Sequence, residues 1–391
     1  MSAALTAPPT HPTSRITSRP ILATIHTAAL RANLARVRQA ARASGDAKIW
    51  AVVKANAYGH GIANVFEGLR GTDGFACLDL DEAQLLRSLG WRGPILLLEG
   101  AFNARDLELC SRLNLWHVVH CDAQIDWLAA HKTHEPQRVF LKLNSGMNRL
   151  GFAPAQFRAA YARLQALPQV AEVSHLTHFS DADTNSTRHN PRTDRVALQT
   201  AIFESAIQDL NGERSLANSA STLRQTSPTS DWIRAGIALY GSAPDYDAAY
   251  PAQSPTGWGL QPVMTLSSRI LGVQNIATGD SVGYGSTFTA AQPMRVGIVA
   301  CGYADGYPRS GGTAQGSPVL VCNQRTRTLG RISMDMLCVD LTPIAEADVG
   351  SPVILWGEGL DVDEVAAASG TISYELLCAV AARVPFVVTD E

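Results

Sequence analysis

Short apolar runs rich in β-branched residues recur through the first two thirds of the chain, at 49–54, 74–79, 94–98, 116–120, 138–143, 173–178, 214–217 and 231–236. Between them apolar residues fall at helical spacing, near 61–70, 81–89, 103–113, 122–132, 154–166, 194–211 and 218–225. A strand that is followed by a helix and another strand must cross back along the sheet, so this alternation predicts parallel pairing. Eight such units over about 200 residues suit a closed (β/α)₈ TIM barrel. An open doubly wound sheet satisfies the same count.

The pattern changes after Tyr240-Gly241. Residues 242–258 are rich in Pro, Gly, Ser, Asp and Tyr and read as a linker. The runs at 263–273, 295–301, 318–322, 336–341 and 353–356 have little helix between them, which predicts a mainly β second domain. A helix near 373–384 closes the chain. At the other end, residues 1–19 are rich in Pro, Thr and Ser and read as a disordered tail. From Thr27 a helix is expected, with Leu30, Leu34 and Val37 on one face. The expected organisation is a tail (1–19), a barrel (20–245) and a mainly β domain (246–391).

Composition narrows the function. With 46% hydrophobic and 17% charged residues, the 391-residue chain has material for a large core. A net charge of −3 and no basic run with interleaved aromatics argue against nucleic acid. No apolar run approaches the ~20 residues of a membrane span. The seven cysteines are scattered, without a Cys-x-x-Cys, so a reducing compartment such as the cytoplasm is expected rather than a disulfide framework or zinc site. Residues 1–45 lack Asp and Glu and carry several arginines, which mimics a transit peptide; a loose tail followed by a helix is the simpler reading.

The unusual polar residues collect at strand ends. Lys54 ends the first strand, Lys142 the fifth with Arg149 just beyond, and His178 the sixth; Asn218-Ser219 follow the seventh, and Arg234 and Gly236 end the eighth. In a barrel these positions share the carboxyl-end rim, where barrel active sites lie. A lone lysine after an apolar strand more often snorkels to water. Here Gly59 and Gly61 follow, which suits close backbone approach to a ligand. A desolvated rim lowers a lysine pKa and favours attack on a carbonyl, a Schiff-base role. Asn218-Ser219 alone would be an ordinary helix cap. Beside Lys54, with Gly236-Ile237 on the same rim, they read as a phosphate cradle. Arg234 lies in an apolar setting and stays protonated. Beside a pyridine nitrogen it would donate a hydrogen bond and leave the ring neutral, which favours quick proton return over longer-lived carbanion chemistry.

Ala-Val-Val-Lys54-Ala-Asn-Ala-Tyr58-Gly-His-Gly resembles the cofactor-lysine motif of the bacterial alanine racemases. The likeness continues in order through Lys-Leu-Asn-Ser-Gly-Met-Asn-Arg149-Leu-Gly, Thr-His178-Phe, Ala-Asn218-Ser219-Ala and Ile-Arg234-Ala-Gly236-Ile237-Ala-Leu-Tyr-Gly. It runs on through Gly-Tyr284-Gly-Ser-Thr-Phe, Gly-Tyr303-Ala-Asp-Gly-Tyr-Pro-Arg, Gly-Arg-Ile-Ser-Met334-Asp335 and Ile-Ser-Tyr374-Glu. It spans residues from about 20 to the end, and several motifs in fixed order are more specific than one.

The resemblance implies a cytoplasmic homodimer that binds pyridoxal 5'-phosphate and interconverts L-alanine and D-alanine, supplying D-alanine for peptidoglycan. It implies that Lys54 binds the cofactor and is the base on one face of the substrate. Tyr284, from the second domain of the partner subunit, would be the base on the other face. Tyr58, Asn218, Ser219, Gly236, Ile237 and Tyr374 would hold the phosphate, and Arg234 the pyridine nitrogen. Arg149 would meet the cofactor hydroxyl and substrate carboxylate, and Met334 would offer its backbone N–H. His178 would link Arg234 to the Tyr284 region. Lys142 matches a lysine often carbamylated in this family, a charge partner for Arg149. Tyr303 and Tyr374 would narrow the entrance, with Asp335 in support. Two positions depart from the family pattern: Asn144 stands where Asp is frequent, and Ser215 where some relatives have His. Neither belongs to the proton-transfer pair.

Two bases on opposite faces let a proton leave one face and return from the other without a swinging residue. Three other readings stay open. A racemase of broader specificity fits the same residues. A barrel-type decarboxylase of similar architecture is disfavoured by Arg234, since such chemistry wants a carboxylate at the ring nitrogen. A non-catalytic cofactor carrier would not need the second domain.

Overall fold

The computed structural model describes residues 18–43, 45–132, 135–184, 194–228, 230–312 and 315–390. Most of the expected tail of residues 1–19 therefore lies outside the described residues. Arg19 is described, and it is anchored: its guanidinium donates to Asp305 Oδ1 at 2.6 Å.

The first strand, β1 (Leu22–His26), is followed by a helix, Thr27–Ala43, that buries Leu30, Leu34 and Val37. Eight parallel strands come next: β2 (Lys48–Val52), β3 (Gly74–Cys77), β4 (Ile95–Leu97), β5 (Trp116–Val119), β6 (Gln137–Lys142), β7 (Val170–Leu176), β8 (Arg214–Ser215) and β9 (Trp232–Ala235). They pair in the order β8-β7-β6-β5-β4-β3-β2-β9. Across the remaining seam Asp231 N–H donates to Arg214 O at 3.0 Å and Arg234 N–H to Ala217 O at 2.9 Å. The sheet is thus a nearly closed barrel, and the doubly wound alternative falls.

Local chemistry explains the helices between the strands. Leu80–Ser88 opens on an Asp79/Glu82 capping box, Pro154–Gln165 on a proline at its first turn, and Arg195–Ile207 on Asp194, whose carboxylate accepts from Ala197 N–H. Inside the barrel Trp50 stacks on Trp232 with ring centres 3.9 Å apart, while Trp116 and Phe140 meet Trp50 edge-on. Trp116 and Trp232 begin their strands, so these rings fill the amino end and leave the carboxyl end to polar residues.

The second unit is mainly β: β10 (Met264–Ile276), β11 (Ser281–Val282), β12 (Phe288–Thr289), β13 (Met294–Val299), β14 (Pro318–Val321), β15 (Gln324–Leu329), β16 (Leu337–Asp340), β17 (Pro352–Trp356) and β18 (Phe386–Thr389). Two short helices, Val362–Ala368 and Ser373–Ala379, pack beside it. Its large sheet runs β13-β16-β15-β14-β17-β10-β1-β18, and the long β10 pairs with β13 as well.

β1 is not a barrel strand. It pairs antiparallel with β10 and parallel with β18, so residues 22–26 join the second unit's sheet although their sequence position groups them with 20–245. The alternating burial of Ala23 and Ile25 drives this placement. One apolar cluster then runs from Ile25 and Leu30 through Ile49 and Val52 to Val353 and Leu355, joining the units. The expected linker at 242–258 is packed as well: Ser242, Ala243 and Pro244 are buried, and Trp258 Nε1 donates to Asp245 at 2.7 Å.

Candidate active site

A cavity of about 380 Å³ opens at the carboxyl end of the barrel strands. Of the residues selected from sequence, Lys54, Tyr58, Lys142, Arg149, His178, Asn218, Ser219, Arg234, Gly236, Ile237 and Tyr374 line it. Tyr284, Tyr303, Met334 and Asp335 do not. Glu99 and Asp183 also line it and were missed, although Glu99 lies just past β4 on the same rim.

Lys54 is followed by a turn of left-handed backbone. Ala55, Asn56, Ala57 and Tyr58 have φ between 51° and 57°, and Gly59 follows at 81°. For L-residues this costs about 1–2 kcal/mol each. Hydrogen bonds offset the strain: Ala57 N–H donates to Val53 O at 2.7 Å, Asn56 N–H to Glu82 Oε1 at 2.8 Å, and Ile62 N–H to Asn56 Oδ1 at 3.0 Å. Lys54 lines the cavity just after β2, and the turn brings Tyr58 to the same lining. Tyr58 is then fixed by stacking on Tyr240, with ring centres 4.7 Å apart.

Arg234 is immobilised from behind. Nη1 donates to Ser215 O at 2.8 Å and Ser215 Oγ at 2.7 Å; Nη2 donates to Thr177 O at 2.7 Å, Leu216 O at 3.0 Å and His178 Nδ1 at 3.1 Å. These bonds use both terminal nitrogens, and among the described residues Nε has no acceptor. Ser215 is therefore a hydroxyl support for the guanidinium. Burial and the neighbouring cations Arg234, Arg149, Lys142 and Lys54 hold His178 far below its usual pKa, so it is neutral with its proton on Nε2. Asn144, the other departure, shapes the loop before Arg149: its Oδ1 accepts from the N–H groups of Gly146 at 3.2 Å and Asn148 at 3.0 Å.

The cavity is cationic, with Lys54, Lys142, Arg149 and Arg234 facing only Glu99 and Asp183 among its lining residues. Burial, then Arg149, lowers the Lys54 pKa. Burial, then Arg234 and Arg149, brings Lys142 down to about 8. An unfolded lysine titrates higher, so between the two values the folded chain holds fewer protons and stability rises with pH. Without a bound anion, the protein is expected to gain up to about 3 kcal/mol from this group between about pH 8 and pH 10. Denaturant unfolding across that window measures it. The gain should shrink in Lys142→Met, and an identical pH profile in both proteins would contradict the assignment.

Another part of the lining brings the starts of two elements together. Ser219 Oγ accepts from Gly236 N–H at 2.9 Å and Ala238 N–H at 3.4 Å, which joins the start of helix Ser219–Arg224 to that of the 3₁₀ turn Ile237–Tyr240. Among the described residues the N–H groups of Ser219 and Ile237 have no acceptor. The Asn218 side chain is a cap: its Oδ1 accepts from Ser221 N–H at 3.0 Å, which fixes the start of that helix.

Comparison with known proteins decides the family. Residues 25–244 match the family model "Alanine racemase, N-terminal domain" and residues 263–388 match "Alanine racemase, C-terminal domain". The chain is 64% identical over 374 residues to the alanine racemase of Delftia acidovorans, covering 94% of this chain and 98% of that one. It is 63% identical to the alanine racemase of Acidovorax sp. over 95% of this chain and all of that one. The crystal structure of biosynthetic alanine racemase from Pseudomonas aeruginosa superposes with a TM-score of 0.88 at 45% identity, covering 95% of this chain and 99% of that one. The chain belongs to the alanine racemase family. A further family structure, from Bartonella henselae with covalently bound pyridoxal phosphate, has a TM-score of 0.82 at 25% identity and covers 95% of this chain and 99% of that one.

In this alanine racemase family member the remaining selected residues lie outside the cavity lining. Tyr284 is 71% exposed on a short turn between β11 and β12, held over a small core of Val282, Ala290, Met294, Val296 and Leu329. Tyr303 and Met334 are exposed on neighbouring loops. One chain thus has a cationic cavity and, away from its lining, exposed Tyr284, Tyr303 and Met334 side chains.

Proposed function

We propose that this chain interconverts L-alanine and D-alanine in the cytoplasm as a pyridoxal-phosphate enzyme, in a homodimer whose subunits share their active sites. The observation that carries the reading is the half-buried Lys54 with a lowered pKa, in a cationic cavity whose lining also includes Ser219 and Ile237, with their unpaired N–H groups as the cradle we assign to an anion. These residues fit the cofactor: a lysine for its aldehyde, free N–H groups and the Ser219 hydroxyl for its phosphate, and Arg234 Nε for its ring nitrogen. When bound, the cofactor supplies the electron-withdrawing group that acidifies the substrate α proton.

The protein's own residues do the rest. Arg149 receives the substrate carboxylate. Lys54 Nζ, whose charge burial and Arg149 disfavour, takes or returns the α proton on one face. The phenol of the partner subunit's Tyr284 does so on the other face. Covering of the cavity by the partner's second unit excludes water and accounts for the exposure of Tyr284, Tyr303 and Met334. Lys142, at a pKa of about 8, has a neutral fraction whose nitrogen can add to the carbon of carbon dioxide and lose one proton to solvent, giving an anionic carbamate beside Arg149. The test is incubation of the purified protein with an amino-acid panel, following the opposite enantiomer and carbon dioxide. D-alanine from L-alanine without carbon dioxide is expected. Carbon dioxide release, or no reaction with alanine, would overturn the reading.

Gly236 offers a sharper check on the cradle. A Cβ there would lie 2.4 Å from the Tyr58 hydroxyl, and Tyr58 is held between Tyr240 and Tyr374. Gly236→Ala is therefore expected to weaken pyridoxal phosphate binding by at least about 10-fold, or ~1.4 kcal/mol. Titration of the cofactor-free variant measures this, and unchanged affinity would count against the cradle.

A further inference from the structure

Two loops of the second unit, residues 302–307 and 330–336, carry Tyr303, Met334 and Asp335. They are built against each other: Tyr303 N–H donates to Ser333 O at 3.0 Å and Ala304 N–H to Met334 O at 3.0 Å. A Cβ on Gly302 would lie 2.4 Å from both Ser333 O and Met334 O, so the fit leaves no slack. At the centre is Asp305, whose side chain has no solvent exposure. Its Oδ1 accepts from Arg19 Nη1 at 2.6 Å and Arg383 Nε at 2.7 Å, and its Oδ2 accepts from Gly302 N–H at 2.9 Å. The same two guanidiniums reach the second loop. Arg383 Nη2 donates to Asp335 Oδ1 at 2.7 Å, and Arg19 Nη2 donates to the Asp335 carbonyl.

We infer that Arg19 and Arg383, bridging Asp305 to Asp335, are positioning residues that set the two loops carrying Tyr303 and Met334 toward the substrate. The inference rests on the proposed reading that these loops cover the partner's cavity. Each bridge joins groups far apart in the chain, one from just after residue 18 and one from near the C-terminus. Neither arginine touches the cavity of its own chain. Burial alone would raise the Asp305 carboxyl; the two arginines and Gly302 N–H override it and keep the group ionised. Removing either guanidinium leaves a buried carboxylate short of charge-assisted bonds, and the loop relaxes to recover solvent. Positioning errors of about 1 Å can cost up to about 100-fold in rate.

The test uses the full chain with cofactor bound, comparing Arg19→Gln, Arg383→Gln, the double variant and Arg383→Lys. Amide hydrogen exchange is followed by peptide, alanine kcat and KM are measured in both directions, and cofactor occupancy at Lys54 is measured. In the double variant, exchange should rise within 302–307 and 330–336 while barrel peptides stay protected. Its kcat/KM should fall by about 10- to 100-fold at unchanged cofactor occupancy. Arg383→Lys should recover part of the loss of Arg383→Gln. If the double variant does not fold, the single variants are judged by the same criteria. Unchanged exchange in the two loops, or kcat/KM within about twofold of the unmodified protein, would overturn the inference. If the unmodified protein does not racemise alanine, the functional reading fails, and the exchange result still judges the clamp.

Discussion

Lys54→Ala is expected to lower alanine racemisation by more than about 10⁴-fold, because one substitution removes both a base and the covalent anchor of the cofactor. A positioned base alone contributes roughly 10²–10⁴-fold. The surroundings offer no substitute. Lys142 lies in the same cavity but ends β6, whereas Lys54 follows β2 and immediately precedes the left-handed turn that places Tyr58. Borohydride reduction followed by peptide mass analysis measures the anchor directly. Cofactor should be fixed to the peptide containing Lys54 in the unmodified protein and to none in the variant. Fixation elsewhere at undiminished activity would contradict the assignment.

Tyr284→Phe should act asymmetrically. Without its phenol one face of the substrate loses its base while Lys54 still serves the other. Exchange of the α proton with solvent should therefore fall by about 10²–10⁴-fold for one alanine enantiomer and by less than about 10-fold for the other. The substitution keeps the ring, so the exposed surface that carries it is preserved. Following exchange separately from L- and D-alanine is the measurement. Equal losses for both enantiomers would contradict two opposed bases.

How much of this was legible in the sequence follows from the range of each interaction. The barrel strands read clearly because strands buried on both faces are short apolar runs between helical patterns. Lys54, Lys142 and Arg234 read clearly because charge beside such runs is unusual. β1 was not legible as part of the second sheet: Leu22–His26 is five residues long, and its partners β10 and β18 lie more than about 200 residues away, a pairing local pattern cannot express. The left-handed turn left little trace, since Ala55 and Ala57 carry no preference for positive φ and only Asn56 and Gly59 hint at it. Arg19 looked like the end of a loose tail because its partner Asp305 comes from the far unit. Asn218 shows the opposite case: the structure gives it the ordinary capping role its sequence suggests, and it lines the cavity as well.

The shared site is tested most directly by mixing the two deficient chains. Lys54→Ala and Tyr284→Phe, carrying different affinity tags, are co-expressed and the heterodimer is isolated on both tags. If the lysine of one chain works with the tyrosine of the other, one site in each heterodimer has both groups intact and the second has neither. The heterodimer should then turn over alanine at about half the unmodified rate, although each parent is nearly inactive. A heterodimer no more active than its parents would contradict the shared site.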